Sequence, residues 1–213
     1  MAEAQVSSQS LTPYKLSFVV GGLLADRAEI VANVYLNLHD WKATQAELIA
    51  GNLLRCRTQS SSGRTGRELI QRMQTLDGDE IAYLVTAPSP DRLHLMWAAM
   101  CRRYEFVAEF ASEVLRDQVV LGATTLTTED FERFWSAKAL WHPELDEVKS
   151  STARKLCTNL FLAMREAGFI TAGNVIVPPL LSSTVVKFLD KRTPSEIRWF
   201  PVTNRTHLSG GQS

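Results

Sequence analysis

Five of the chain's arginines lie within residues 52–76, where the only acidic residue is Glu68. Arginine presents planar, paired hydrogen-bond donors that match the oxygens of a phosphate. A cluster of arginines with so little opposing charge therefore suits an anionic backbone such as that of a nucleic acid. An ordinary solvated helix face has a similar composition, so this second interpretation stays open. The five are Arg55, Arg57, Arg64, Arg67 and Arg72.

The second half of this stretch has the pattern of a helix. Three serines around Ser61 offer N-caps, and four apolar residues from Leu69 to Leu76 recur at helical spacing. At about 100° per residue, Arg64, Arg67 and Gln71 point away from the apolar side. The free N–H groups and the dipole of a helix start favour phosphate at such a position. The predicted DNA contacts here are Arg55, Arg57, Ser61, Arg64, Arg67 and Gln71.

Two glycines, Gly63 and Gly66, lie near the start of this helix. Each weakens the helix by about 1 kcal/mol relative to alanine. We therefore expect the first turn of the helix to become ordered on binding. The connector before it is longer than the turn of a standard helix-turn-helix, so spacing alone does not identify that motif.

A second basic helix is predicted from about Ser150 to Ala167, with Arg154 and Lys155 on its outer side. The segments 174–177 and 196–202 carry the only convincing strand signal of the chain. A polar-faced helix leading into a small strand pair resembles a winged helix, which makes Arg154 and Lys155 the second candidate DNA contact. The alternative is a helix that packs under a small sheet and only closes the fold.

The rest of the chain has mostly helical periodicity. Further helices are predicted over about residues 22–38, 42–50, 79–86, 127–140 and 182–190. The apolar-rich segment 91–121 is typical of a central core helix or a pair of such helices. We therefore predict a mainly α, compact multi-helix protein with a small C-terminal β-strand pair. The predicted regions are a flexible N-terminus (1–15), an N-terminal helical region with the basic helix–connector–helix unit (16–122), a winged-helix-like C-terminal region packed on the same core (123–203) and a flexible tail (204–213).

Two other groups of polar residues have expected structural roles. We expect Arg102 and Arg103 to pair with local acids such as Glu105 and Glu109, with phosphate contact as the alternative. We expect His142 to cap the end of the preceding helix, because no catalytic partner for it is evident in the sequence.

Composition and charge limit the classes of function. With 45% hydrophobic and 22% charged residues, the 213-residue chain has the composition of a soluble globular protein. Its net charge of zero is unevenly distributed, because residues 76–150 hold seven basic and fourteen acidic residues whereas residues 151–213 hold eight basic and three acidic. Such a chain can bind nucleic acid through one face, since local potential attracts the phosphates.

Several classes of function lack their sequence signals. The longest uncharged apolar run has eight residues, too few for a membrane span, and no signal peptide is evident. Three well-separated cysteines fit free thiols in a reducing cytoplasm. No phosphate-binding loop, nucleophile elbow or metal-ligand spacing is present. We therefore expect a cytoplasmic, non-catalytic protein with no cofactor, no metal, no small-molecule substrate and no membrane partner.

Five segments, taken in order, carry a likeness to a known family. They are LSFVVGGLLADRAEIVANVYLNLHDW from Leu16, NLLRCRTQSSSGRTGRELIQRMQTL from Asn52, LMWAAMCRRYEFVAEFASEVLRD from Leu95, FWSAKALWHPELDEVKSSTARKLCTNLFLAMREAGFI from Phe134 and RWFPV from Arg198. The chain resembles the BrxA family of bacterial BREX (bacteriophage exclusion) defence systems from roughly Leu16 to Val202. The most specific part is WHPEL followed by S-T-x-x-K-L.

The resemblance implies a role in phage defence and a helical core similar to that of the RNA-binding antitermination factor NusB. It also implies DNA binding rather than catalysis, with double-stranded DNA and other BREX proteins as partners. Two alternatives stay open: an assembly module of the BREX proteins without direct DNA contact, and RNA binding of the NusB type.

Overall fold

The computed structural model describes residues 12–18 and 21–203, and these residues form a mainly helical protein, as predicted. The α-helices are α1 (Ala25–Leu38), α2 (Trp41–Ala50), α3 (Gln59–Met73), α4 (Gly78–Thr86), α5 (Ser89–Arg103), α6 (Glu105–Phe110), α7 (Asp117–Val120), α8 (Thr128–Ala139), α9 (Ser150–Glu166) and α10 (Ser183–Asp190). A π-helical turn (Ala111–Arg116) links α6 to α7, and 3₁₀ turns cover Pro143–Leu145 and Glu196–Trp199. Of the predicted flexible ends, residues 1–11 and 204–213 lie outside the described residues.

Helix α5 lies at the centre of the core. All its residues from His94 to Cys101 are buried. A helix that is buried all round must be covered on every side, and α5 contacts α1, α3, α4, α6, α9 and α10. The indole N–H of Trp97 donates to the carbonyl of Trp199 at 2.9 Å, so the one polar group of this enclosed ring is satisfied. The N-terminal and C-terminal parts of the chain therefore meet on α5.

The segment 91–121, predicted as a central core helix or pair of helices, is a pair: α5 ends at its C-cap Tyr104, and α6 continues through the π-helical turn into α7. Tyr104 has an extended backbone (φ −125°, ψ 97°) that buries its ring. Its hydroxyl lies 2.7 Å from one carboxylate oxygen of Glu68 and donates to that group. Burial raises the pKa of Tyr104 to about 12, and the Glu68 carboxylate acts in the same direction. Helical spacing did not locate the break at Tyr104, because the break depends on a contact between Tyr104 and a residue 36 positions earlier.

The loop around Gly22, which precedes α1, is hydrogen-bonded to both α3 and α9. The carbonyl of Gly22 accepts a hydrogen bond from Arg72 of α3 at 2.8 Å, and the N–H of Leu23 donates to the Glu166 carboxylate of α9. Gly22 has a φ of 70°, and a Cβ at this position would collide with the Glu166 carboxylate. Glycine is therefore the residue that fits here without strain.

The predicted C-terminal strand pair is absent from residues 12–18 and 21–203. The second predicted strand, residues 196–202, starts as a 3₁₀ turn, because Glu196 is buried and accepts a hydrogen bond from Arg102 of α5 at 2.6 Å. The first predicted strand contributes only to isolated antiparallel bridges. These bridges join Ile170 to Ile176 and Thr125 to Val175. The C-terminal region therefore has no wing of the kind a winged helix requires.

Part of the predicted flexible N-terminus is packed on the core. Tyr14 is buried, its N–H donates to Glu144 at 2.8 Å, and its ring stacks on that of His142 with the centroids 3.8 Å apart. His142 therefore anchors the N-terminal segment with its ring, while its N–H donates to the carbonyl of Lys138 at 3.0 Å at the end of α8, the helix that we expected it to cap. One hydrophobic cluster contains side chains from both predicted regions, 16–122 and 123–203, and the boundary between them stays a prediction.

Candidate nucleic-acid interface

The loop between α2 and α3 is held by hydrogen bonds of its own. The Asn52 side chain accepts from the N–H of Cys56 at 3.1 Å and donates to the carbonyl of Cys56 at 3.2 Å. Leu54 is buried beneath the loop, and Arg55 takes a left-handed φ of 49°. This arrangement leaves Arg55 and Arg57 exposed on the two sides of Cys56.

Helix α3 begins with a capping box, but the predicted serines are not its N-cap. Thr58 is the N-cap, and its hydroxyl accepts a hydrogen bond from the N–H of Ser61 at 3.1 Å. The Ser61 hydroxyl in turn accepts from the N–H of Thr58 at 3.1 Å. Reciprocal bonds of this kind satisfy two N–H groups that the helix start would otherwise leave free. Ser61, a predicted DNA contact, is therefore engaged in the cap.

Arg64 and Arg67 lie on the outer face of α3, three residues apart and both exposed. Leu69, Ile70 and Met73 are buried on the inner face. The two faces of α3 are therefore the ones that helical spacing predicted from the sequence. This arrangement directs the two guanidinium groups into solvent.

The four exposed arginines of this unit have no acidic partner in the part of the chain that the structure describes. All salt bridges there involve other basic residues. We call these four residues the arginine surface: Arg55, Arg57, Arg64 and Arg67. Guanidinium groups without a carboxylate partner raise the local positive potential and keep their paired donors available to a ligand.

Two other residues of the stretch have partners inside the protein. Arg72 is fully buried, and its Nε donates to Glu68, four residues earlier, at 2.7 Å. The side-chain oxygen of Gln71, a predicted DNA contact, accepts a hydrogen bond from Arg103 at 2.9 Å. Gln71 therefore lies beside the arginine surface with its acceptor already engaged.

The predicted pairing of Arg102 and Arg103 with local acids such as Glu105 and Glu109 is wrong. Arg102 forms buried ion pairs with Glu80 at 2.7 Å and Glu196 at 2.6 Å. Burial opposes the charge of Arg102, but hydrogen bonds to these two carboxylates raise its pKa. Arg102 thus fixes the C-terminal segment to α4 and is not available to a phosphate.

Gly63 and Gly66 face α2 and allow it to lie close to α3. The amide of Gln45 on α2 donates to the carbonyl of Gly63 at 3.3 Å. A Cβ on Gly66 would lie only 3.1 Å from the Gln45 side chain. The first turn of α3, which we expected to become ordered on binding, is already helical and capped.

Arg154 and Lys155, the second candidate contact, are exposed on α9. This helix begins at Ser150 with Lys149 as N-cap, and no side chain caps it. The two candidates therefore lie on different elements, and the second has no wing beside it.

Arg154 also borders a cleft of about 580 Å³ between α8 and α9, together with Trp135 and Cys157. Burial raises the pKa of Cys157 to about 11, and nearby Glu132 adds to this effect. The thiol is therefore protonated at neutral pH, which makes it a poor nucleophile.

Sequence reasoning missed two residues that shape the site. Thr58 lies three residues before Ser61, which is capping-box spacing with serine in the position usually held by glutamate or glutamine, so a signal was present. The role of Asn52 had no comparable signal, because it depends on the left-handed backbone of the loop (φ 43° at Asn52).

Residues 12–18 and 21–203 contain no group of three or more His, Cys, Asp or Glu side chains placed to hold a metal ion. None of the helices formed by these residues combines the length and the apolar character that crossing a bilayer requires.

Comparisons with known proteins identify the family and support the fold. The BrxA family model matches residues 12–193. The BREX protein BrxA of Escherichia coli O9:H4 (strain HS) is 23% identical over 150 residues, which are 70% of each chain. The crystal structure of an uncharacterized protein from Magnetospirillum magneticum has the same fold, with a TM-score of 0.78 at 19% identity over 90% of this chain and 100% of the other. The family match covers most of the sequence, and the chain belongs to the BrxA family.

Proposed function

We propose that the chain is a non-catalytic component of a BREX phage-defence system that binds double-stranded DNA through the arginine surface. Membership of the BrxA family and similarity to a BREX protein support the BREX role and make other BREX proteins its expected partners. The observation that carries DNA binding is the set of four exposed arginines, without acidic partners among the described residues, on one loop and on the outer face of the helix that follows it.

The order of this surface favours binding. The Asn52 bonds hold the loop and the Thr58 capping box holds the helix start, so few backbone groups have to be immobilised by the ligand. Contacts from arginine to phosphate position a protein on DNA without reading its sequence. We therefore propose binding with weak sequence preference, to which Arg154 and Lys155 add a second contact on a longer duplex.

The test is the double variant Arg64→Ala, Arg67→Ala, titrated into a labelled random-sequence duplex over a range of salt concentrations. For the wild type, log K falls with log salt by about 0.9 per phosphate contacted, because each neutralised phosphate releases counterions. We expect the variant to bind all duplexes more weakly and to flatten this slope by up to about two units.

The matched control is Lys15→Ala, Lys187→Ala, which removes the same charge from exposed residues that, like the arginine surface, form no salt bridge among the described residues. We expect it to bind like the wild type. Equal loss in both variants would mean that net charge matters and the arginine surface does not.

Two rival functions give different results in the same titration. A preference for single-stranded or structured RNA would favour NusB-type binding. No binding at low salt, with retained association to other BREX proteins, would favour an assembly module in which the arginines meet acidic protein surfaces.

A further inference from the structure

A groove of about 320 Å³ runs between α8 and the segment formed by the π-helical turn and α7. Apolar and acidic side chains line it together. The apolar lining includes Val114, Leu121, Phe134 and Ala137, and the acidic lining is Glu113, Asp117 and Asp130. Single π-helical turns within helices are found frequently at functional sites, and one of them forms the wall opposite α8 here.

Large apolar side chains stand exposed at this groove. Leu121 on its wall is 81% exposed, and just beyond the end of α8 Leu140 is 80% and Trp141 72% exposed. Leu140 and Trp141 do not line the groove themselves, but they follow the lining residue Ala137 by three and four residues and so extend the line of α8 beyond its end. The N–H of Trp141 donates to the carbonyl of Lys138 at 3.0 Å, so the exposed ring stands on an ordered backbone.

The charges beside these apolar groups are mainly negative. Arg133 is a basic lining residue, and it is bonded to Asp130 at 3.2 Å. Lys138 at the edge is bound by both Glu109 at 2.6 Å and Glu113 at 2.8 Å. A surface with this excess of carboxylates repels nucleic-acid phosphates and anionic lipid headgroups and attracts a basic partner.

The size of the patch restricts the partner further. A stable contact between two folded proteins buries about 800 Å² on each. Three exposed side chains and a narrow groove are too small for that, whereas they suit a single helix that inserts apolar side chains at helical spacing.

We propose that this groove docks a basic amphipathic helix of a partner protein. Its apolar side chains contact Leu121, Ala137 and Trp141, and its lysines or arginines pair with Asp117, an acidic lining residue that forms none of the ion pairs named above. The inference does not depend on DNA binding, because it uses none of the residues of the arginine surface.

The test uses two synthetic helical peptides with leucine at every third or fourth position, one with lysine and one with glutamate at the remaining positions. Their affinities for the full chain are measured by fluorescence anisotropy. We expect the lysine peptide to bind at least about tenfold more tightly than the glutamate peptide. We expect the variant Leu121→Ser, Trp141→Ser to weaken the lysine peptide at least about tenfold.

Both residues are exposed, so the variant is expected to keep its fold, which circular dichroism checks. The control Val177→Ser, Leu180→Ser removes exposed apolar groups in the loop before α10 and should leave the peptide affinity unchanged. Equal affinity for the two peptides, or full binding by the groove variant, would overturn the proposal. So would a wild-type dimer that the groove variant dissociates, since the groove would then be an interface between copies of this chain.

Discussion

Neighbouring arginines of one helix have opposite roles in this protein. Arg67 is exposed, whereas Arg72 on the same helix is fully buried. Helical spacing is sufficient to predict the outward position of Arg67. It does not predict that Arg72 is tolerated inside, because that depends on Glu68 and on the carbonyl of Gly22, which is 50 positions away.

The buried pair gives a prediction at the level of a single residue. Arg72→Ala leaves the Glu68 carboxylate, which is 6% exposed, without its cation. Removing one partner of a buried pair costs about 3–5 kcal/mol. We expect a loss of this size in the free energy of unfolding, measured in urea.

The matched control for this change is Arg67→Ala on the outer face of α3. An exposed substitution of this kind alters stability by less than about 0.5 kcal/mol. If Arg72→Ala were no more harmful than Arg67→Ala, the buried pair would contribute nothing to the fold.

At the level of elements, the sequence predicted the existence of α3 correctly and its start incorrectly. Apolar periodicity locates a helix well, but several hydroxyl residues in a row leave the N-cap ambiguous. Thr58 is the cap because its backbone is extended (φ −135°, ψ 153°), while the serines that follow are helical.

The capping box predicts unequal effects for two similar substitutions. Thr58→Ala removes the acceptor for the N–H of Ser61 and should destabilise the protein by about 0.5–2 kcal/mol. Ser60→Ala removes an exposed hydroxyl that the capping box does not use and should change stability by less than about 0.5 kcal/mol. Urea unfolding of both variants tests this, and a larger loss for Ser60→Ala would contradict the assigned cap.

The strand pair shows where local pattern misleads. Residues 174–177 have the composition of a strand, and the bridges of Val175 and Ile176 show that the chain is extended there. Their predicted partner, residues 196–202, is held on the core by two hydrogen bonds from α5, one to the Glu196 carboxylate and one to the carbonyl of Trp199. Strand signals in sequence carry no information about such competing contacts.

For the whole molecule, the mainly helical class was predictable because most segments have a clear apolar face. The central position of α5 was predictable for the same reason, because its segment is rich in apolar residues, whereas the partners of its buried polar residues were not. His94 illustrates this, because its buried ring stacks on Phe169 and meets the edge of Phe200, both from the C-terminal part of the chain.

The burial of His94 predicts that acid destabilises the fold. Burial lowers the pKa of His94, although the charge of Asp91 opposes the shift. In the unfolded chain His94 takes up a proton near pH 6.5, whereas in the folded chain it does so only at lower pH. The free energy of unfolding therefore falls as the pH drops below about 6.5. The loss from this residue is at most about 1.4 kcal/mol per pH unit.

The comparison of wild type with His94→Leu isolates this contribution. Unfolding free energies are measured in urea at about pH 7.5 and about pH 5.5, on either side of the ordinary histidine pKa. The variant should lose less stability on acidification than the wild type, whatever its stability at neutral pH. Parallel losses in the two proteins would show that His94 is not the group that titrates.

The meeting of Gly22 with Glu166 also limits how this sequence can drift in evolution. A side chain at position 22 would collide with the Glu166 carboxylate, so these two sites, 144 positions apart, are not free to change independently. A shorter residue at 166 would relieve the collision but would leave the positive φ, which still favours glycine. Homologous chains that keep this loop should therefore lose Glu166 before they lose Gly22.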